Sequence, residues 1–576
     1  MLILIVSFIP SLDDSKDEIR LLKVLPGKEH EEIHCQYLVV SLNDNPSYQT
    51  VSYAWGDPHK TRKIRVKGMK FEILQSLFSA LSQIRLPDEE IVLWTDALCI
   101  DQANNVEKTY QVNLMDRIYR ECSNCFIWVG DVDIDGEKDQ SGIEAAATAF
   151  DMLRVLSGEI TEDNIPPSIT TAESSIRGSR ALELMMHASW WSRIWTVQEA
   201  CLPPSACVLW GPLKIQWKTL TTAAQNLVQD TLPFSMDYGE LFPNDITSAF
   251  TPSIMGVQFA LNWVRDGVPL LERIWRFRYR SATDPRDKIY GIKSLMGEES
   301  LPSIMSCDYS LDTATLFKRV TLDLLRDEKG LKPLIGWRGE KHMTPRLPTW
   351  AIDLTRPSTG LEMTARFWSH SDYWYEFTAD AGLPMLDTEN LTSEDESLLY
   401  VNGIFIDRVV VIGEVILEES EEFELTVDDL EPNIDSWRDI VTVFTESKAK
   451  EHGLAGMLRY AMITGMINSF DDLIEGRIME EGEDNETWKK MMCKNQAMFI
   501  TESGRIGLGP PTTQIGDELW ILSGGRTPFV LRSREDVRGG EVDDVYEFVG
   551  DSFVHGIMFG EAVEGQEDTQ RIVTLC

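Results

Sequence analysis

Ile91-Val92-Leu93-Trp94-Thr95-Asp96 is a short apolar run that ends on a carboxylate. Four consecutive apolar residues fit a strand buried on both faces, as in a parallel sheet. The segments on either side repeat the pattern. Upstream, Gln49-Thr50-Val51-Ser52-Tyr53-Ala54-Trp55 reads as a strand ending at Gly56-Asp57-Pro58; downstream, Cys125-Phe126-Ile127-Trp128-Val129-Gly130 reads as a third, ending in Asp131. Leu74, Leu77, Phe78, Leu81 and Ile84 recur at helical spacing, as do Val112, Met115, Tyr119 and Cys122. Strands alternating with helices predict an α/β domain with a mostly parallel sheet and helices on both faces. Residues 63–73 predict a hairpin turning at Gly68, and Ala145 to Leu156 a further helix. The Pro/Ser/Thr-rich stretch 158–178 reads as a mobile loop, about 180–201 as one helix, and 206–210 as another strand.

The chain has 576 residues, 43% of them hydrophobic, with 17 Trp, which suffices for a large core and excludes a disordered chain. At roughly 150 residues per domain, the length predicts about three or four domains. The 54 Lys and Arg face 93 Asp and Glu, a formal net charge of −39. Phosphate contacts draw on Lys and Arg, so this balance argues against nucleic acid and against an anionic membrane surface. Residues 376–500 carry 29 acidic and 9 basic side chains, about half of the net charge. A solvated acidic face explains them most simply; the alternative is a surface facing a basic partner such as the stretch Arg273 to Arg286. Nine scattered cysteines fit a reduced, intracellular chain. Cys122 and Cys125 form a CxxC without a second pair at zinc-ligand spacing, so no metal is predicted. The apolar start, Leu2 to Ile9, has no basic flank and runs into Pro10, unlike a signal sequence. Since no stretch reaches the ~20 apolar residues of a membrane span, a soluble protein is expected.

Residues 216–350 read as mainly helical, and residues 351–576 as a mixed acidic region with a β-rich part at about 499–560. There, Glu518-Leu519-Trp520-Ile521-Leu522 and Pro528-Phe529-Val530-Leu531-Arg532 flank Gly524-Gly525-Arg526, a predicted hairpin.

No Walker A, HExxH, GxSxG or GxGxxG pattern occurs. Asp57, Asp96, Asp101 and Asp131 each follow closely on one of the three strands. Ligands of open parallel sheets bind beyond those carboxyl ends, but Asp also caps turns and helices. In the helix from Ser189 to Cys201, Trp190, Ile194, Val197 and Cys201 form a core-facing stripe, and Trp191, Trp195 and Glu199 line an adjacent face. A carboxylate beside indoles suits an aromatic, cationic ligand. Equally, Glu199 can pair with an arginine such as Arg193.

Tyr48-Gln49-Thr50-Val51-Ser52-Tyr53-Ala54-Trp55-Gly56-Asp57 and Leu93-Trp94-Thr95-Asp96-Ala97-Leu98-Cys99-Ile100-Asp101-Gln102 resemble the first two signature blocks of the fungal heterokaryon-incompatibility (HET) domain. Gln111-Val112 through Met115, Ile118-Tyr119 and Ile127-Trp128-Val129-Gly130 resemble the third block, and Arg193-Ile194-Trp195-Thr196-Val197-Gln198-Glu199 the closing one. Asp101 stands where Asn is more usual. Segments outside the domain also match: Glu18-Ile19-Arg20-Leu21-Leu22 before it, Asp284 to Gly291 and Leu347-Pro348-Thr349-Trp350 after it, and His555-Gly556-Ile557-Met558 near the end.

The resemblance implies a HET domain over residues 1–215, with its signature core at about 48–201. It implies a cytoplasmic fungal protein of non-self recognition and programmed cell death, working with protein partners or by self-association. HET domains are held to be distantly related to TIR domains, which implies a TIR/flavodoxin-like fold and points to NAD as a substrate, with no resident cofactor. On that pattern Glu199 is the catalytic carboxylate, and Tyr53, Trp55, Asp57, Asp96 and Trp195 surround the nicotinamide and ribose. The competing expectation is an effector that acts only through protein contacts, regulated by the residues after 215.

Overall fold

The computed structural model describes residues 9–28, 30–228, 254, 257, 268–296, 301–336, 344–355, 377–385, 391–415, 427–475, 493, 495–534 and 545–576. The apolar start up to residue 8, most of 229–267 and the acidic stretch 476–492 lie outside these. The chain divides into two compact units, Met1–Ser300 with Ile304–Ser310, and Leu301–Ser303 with Leu311–Cys576.

In the first unit the strands are β1 (Glu18–Val24), β2 (His34–Ser41), β3 (Gln49–Tyr53), β4 (Thr61–Val66), β5 (Met69–Leu74), β6 (Ile91–Trp94), β7 (Cys125–Gly130), β8 (Ala206–Trp210) and β9 (Leu213–Gln216). They make one sheet in the order β5-β4-β2-β1-β6-β3-β7-β8-β9. At its centre β6, β3, β7 and β8 run parallel, and all of β8 and most of β3 are buried, so both faces are covered. The sheet as a whole is mixed, not mostly parallel: β1 is antiparallel to β2 and β6, β5 to β4, and β9 to β8. Connection length is the reason. A parallel return needs a crossover of a dozen or more residues, and the links β1–β2, β4–β5 and β8–β9 are all shorter. The predicted hairpin at Gly68 is present, with positive φ at Lys67 and Gly68, as a tight two-residue turn requires.

The helices are α1 (Gln75–Ile84), α2 (Asp96–Cys99), α3 (Asn105–Glu121), α4 (Gln140–Leu156), α5 (Pro167–Thr170), α6 (Ala172–Met186), α7 (Ser189–Ser192), α8 (Thr196–Cys201), α9 (Trp217–Val228), α10 (Leu270–Phe277) and α11 (Asp287–Tyr290). Two expectations change here. Much of the predicted loop 158–178 is helical, because its Pro and Thr start helices: Pro167 opens α5, and the Thr171 hydroxyl accepts from Ser174 N to cap α6. The predicted single helix 180–201 is three. Arg193 is extended (φ −80°, ψ 140°), and residues 192–194 bond across to Ser281 instead of continuing the helix.

The basic stretch from Arg273 is not a surface stripe. Arg273, Arg278 and Arg280 are buried in their own unit, and Arg286 pairs with Asp284 at 2.7 Å.

The second unit contains α12 (Thr313–Glu328), β10 (Leu399–Ile412), α13 (Val427–Glu451) and α14 (Gly456–Glu475). It continues with β11 (Ala497–Thr501), β12 (Ile506–Gly509), β13 (Glu518–Leu522), β14 (Phe529–Ser533), β15 (Val545–Asp551), β16 (Phe553–Val554) and β17 (Arg571–Leu575). The predicted hairpin around Gly524-Gly525-Arg526 joins β13 to β14. β10 pairs with both β13 and β17, so β10, β13, β14, β15 and β17 close into a ring that leaves no free edge among them. On α13, Leu430, Ile434, Trp437, Val441 and Thr445 face inward, while Asp435, Asp439 and Glu451 are exposed.

One buried ion pair fixes the start of the first unit. Arg20, on the otherwise apolar β1, is 1% exposed and grips Glu107 of α3 at 2.5 and 2.7 Å. Its remaining donors reach Pro10 O and Cys99 O, and Glu107 also accepts from Asp101 N. Removing the carboxylate strands a buried guanidinium, which costs about 3–5 kcal/mol. Glu107→Ala is therefore expected to lower the free energy of unfolding by about that amount in chemical denaturation; a change within about 0.5 kcal/mol contradicts the pairing.

Candidate active site

The polar residues of β3 alternate to one face: Thr50 and Ser52 share it, while Val51 and Tyr53 leave from the other. Ser52 is 1% exposed. Its hydroxyl donates to Glu199 Oε2 at 2.5 Å and accepts from Trp190 Nε1 at 2.8 Å. Trp190 lies on α7 and Glu199 on α8. The two are nine residues apart, about half a revolution around a straight helix at about 100° per residue. An unbroken helix would send them in opposite directions. The extended Arg193 turns the chain so that both reach one hydroxyl.

That break is held by several bonds. Thr196 Oγ1 donates toward Arg193 O and Trp190 O, Arg280 Nη1 donates to Arg193 O, and Ile194 N and Ser281 N bond across the bridge.

Glu199 is 5% exposed, and burial pushes its carboxyl up from the usual range to about 7. Asp96 acts in the same direction, whereas Arg193, Ser52 and Tyr119 pull it down. Asp96 opens α2 at the carboxyl end of β6, accepting from Trp55 Nε1 at 2.9 Å and from Ala97 N at 2.7 Å. Trp55 is 38% exposed, so this pair forms the outer rim. Arg193 donates through Nη1 to Tyr53 O.

Asp96 thus lies in electrostatic range of Glu199, with Trp55 joined to it. Tyr53 supplies its carbonyl through Arg193, and its ring leaves β3 on the side opposite Ser52. The Trp195 indole lies beside the Asp287 carboxyl, which accepts from Tyr309 at 2.6 Å. Asp57 accepts from His59 N and Asp101 from Ala103 N, both as turn caps, and Asp131 accepts from Ser79. Among the described residues no group of three His, Cys, Asp or Glu can hold a metal ion. Cys122 and Cys125 are buried free thiols. Ser52 and Tyr119 were not singled out in the sequence as site residues, and Trp190 was read only as part of the core-facing stripe. A polar Ser between Val51 and Tyr53 was the available signal, since a buried hydroxyl requires a partner.

The heterokaryon incompatibility protein (HET) family profile matches residues 48–199, which run from the residue before β3 to Glu199 itself. Residues 48–199 are a HET domain. The Het-6 beta-barrel domain profile matches residues 476–572, most of the ring; β10 of that ring lies ahead of the match. Heterokaryon incompatibility protein 6, OR allele, of Neurospora crassa is 22% identical over 666 aligned positions, taking in 97% of this chain and 96% of that protein. Vegetative incompatibility protein HET-E-1 of Podospora anserina is 26% identical over 153 positions, 25% of this chain and 11% of that protein. No solved structure matches. No helix among the described residues is long and apolar enough to cross a membrane.

A carboxyl raised on folding stabilises the native state only while it is protonated. Its stability cost is absent below the unfolded-state value of about 4.5 and grows until the pH passes about 7. Glu199→Gln keeps an acceptor for Ser52 and removes the titration. In denaturation at about pH 5 and pH 8, the variant is expected to gain on wild type by about 3 kcal/mol at the higher pH. A difference independent of pH contradicts the raised carboxyl.

Proposed function

We propose that this HET-domain protein acts in heterokaryon incompatibility, the process for which both relatives are named, and that it does so as an NAD glycohydrolase with Glu199 as the catalytic carboxylate. One observation carries the catalytic reading: a carboxyl sealed at the centre of the sheet, without a salt bridge, keeps its proton up to about 7. Groups tuned that far from their ordinary range concentrate at reacting centres. The parallel strands lie in the order β6-β3-β7-β8, so the chain reverses its direction of travel beside β3. This supports a TIR/flavodoxin-like arrangement, in which ligands bind outside the carboxyl ends at that reversal.

The chemistry asks little of the protein. The nicotinamide of NAD is cationic, so cleavage of the bond from its nitrogen to ribose C1′ releases it neutral, without a general acid. Glu199 in its ionised form stabilises the positive charge developing on the ribose and orients the water whose oxygen bonds to C1′, with that water's proton passing to the carboxylate and on to solvent. Ser52, held by Trp190, fixes Glu199 Oε2. Trp55 and Asp96 sit where the nicotinamide and ribose enter, with NAD as substrate and not cofactor. Loss of cytoplasmic NAD then kills the cell, and protein contacts or self-association trigger the enzyme.

Purified full-length protein incubated with NAD is expected to release nicotinamide, with turnover rising through about pH 7 as Glu199 ionises. Glu199→Gln is expected to lower the rate by about a hundredfold or more. Equal rates in folded wild type and variant, or none in either, overturn the reading.

A second reading has its own observation. With Ser52 at 1% and Glu199 at 5% exposure, the Trp190–Ser52–Glu199 contact also serves as a staple in an effector that works by protein contacts alone. Folded Glu199→Gln protein that triggers the full incompatibility response without NAD loss favours it.

A further inference from the structure

β5 ends the sheet of the first unit, and among the described residues β4 is the only strand paired with it. Val66 and Met69 flank the two-residue turn between these strands, so they form a hydrogen-bonded pair, and bonded and non-bonded pairs alternate from there. Lys70 opposite Arg65 and Glu72 opposite Lys63 fall in the non-bonded positions. The N–H and C=O groups of Lys70 and Glu72 therefore point away from β4, along the open edge. Among the described residues no group bonds to them there, and both residues are exposed.

This edge is charged on one face and apolar on the other. Lys70 and Glu72 share the outer face, and Met69, Phe71 and Ile73 the inner one. Glu72 lies 3.8 Å from Lys63. Lys70 is set opposite a second cation, Arg65, which turns to Glu32 at 2.6 Å. Like charges directly opposite are unfavourable, so the hairpin leaves Lys70 in want of a carboxylate. Read in reverse, Met69-Lys70-Phe71-Glu72-Ile73 complements itself: Lys meets Glu, Phe meets Phe and Met meets Ile.

We propose that β5 is a dimer interface, pairing antiparallel with β5 of a second copy of this chain about a two-fold axis at Phe71. Lys70 then lies opposite the partner's Glu72 and exchanges both main-chain bonds with it, and the two-fold axis repeats the contact. The partner's Glu72 gives Lys70 the carboxylate that its own hairpin withholds. Charge at longer range favours the same occupant. Residues 59–74 carry six basic side chains and one acidic, within a chain of net charge −39. The hairpins are basic where they meet, and the acidic body of each partner offsets that repulsion. Pairing joins the two sheets into one and closes an edge otherwise open to any extended chain. In the sheet β4, β2, β1 and β6 separate β5 from β3, and the interface stands whether or not the protein hydrolyses NAD.

The test is analytical ultracentrifugation of the full-length protein over a range of concentrations. Wild type is expected to dimerise reversibly. Lys70→Glu sets two glutamates opposite each other and Glu72→Lys two lysines, each twice per interface. Either variant alone should therefore associate at least about tenfold more weakly. An equimolar mixture of the two variants brings an acidic edge to a basic one and should dimerise as wild type does. That rescue separates an edge contact from a loss of folding. A wild-type chain that stays monomeric throughout leaves the edge to some other chain and overturns the proposal. Association unchanged in either variant, or variants that stay monomeric when mixed, overturns it as well.

Discussion

A carboxyl group sealed from water either meets a cation or keeps its proton. Glu199 takes the second course, sharing a hydroxyl hydrogen with Ser52 while the Trp190 indole completes the hydroxyl's bonding. The rest of the domain is arranged so that these three groups can meet. β3 lies between β6 and β7, which puts Ser52 in the middle of the parallel strands. The break at Arg193 turns two short helices toward one strand. Ser281 and Arg280, which follow the residues matched by the HET profile, hold that break in place. The Ser52–Trp190–Glu199 cluster accordingly draws on sequence beyond the signature blocks.

Much of the centre of the sheet was legible in the sequence. The apolar runs at 49–53, 91–94 and 125–130 are buried on both faces, and such strands announce themselves by composition alone. β1 and β2 were harder to read. Arg20 and Lys23 interrupt the first, and the second mixes His34, Gln36 and Ser41 with apolar residues. The arginine that obscures β1 is neutralised by Glu107, 87 residues away, and local patterning carries no trace of that pairing.

The site shows the same division. Glu199 was legible through its signature block, and helical spacing set it on a face with Trp191 and Trp195. Periodicity assumed a continuous helix, however, and so assigned Trp190 to the core stripe alone. The turn at Arg193 depends on Ser281 and Arg280, and no local signal could have revealed it. On α13 of the second unit the acid lies on a solvated face, the simpler of the two readings its composition allowed. Along α13 an apolar stripe faces inward and carboxylates face water, so that helix places its charge on its solvent side.

Infrared difference spectroscopy of wild type against Glu199→Gln observes the central group directly, because a protonated carboxyl has a carbonyl stretch that a carboxylate lacks. The wild-type protein should show that band at about pH 6 and lose it with a midpoint of about 7. A band already gone by about pH 5 would mean that Glu199 ionises like an exposed glutamate, and the buried Ser52–Glu199 centre described above would be contradicted.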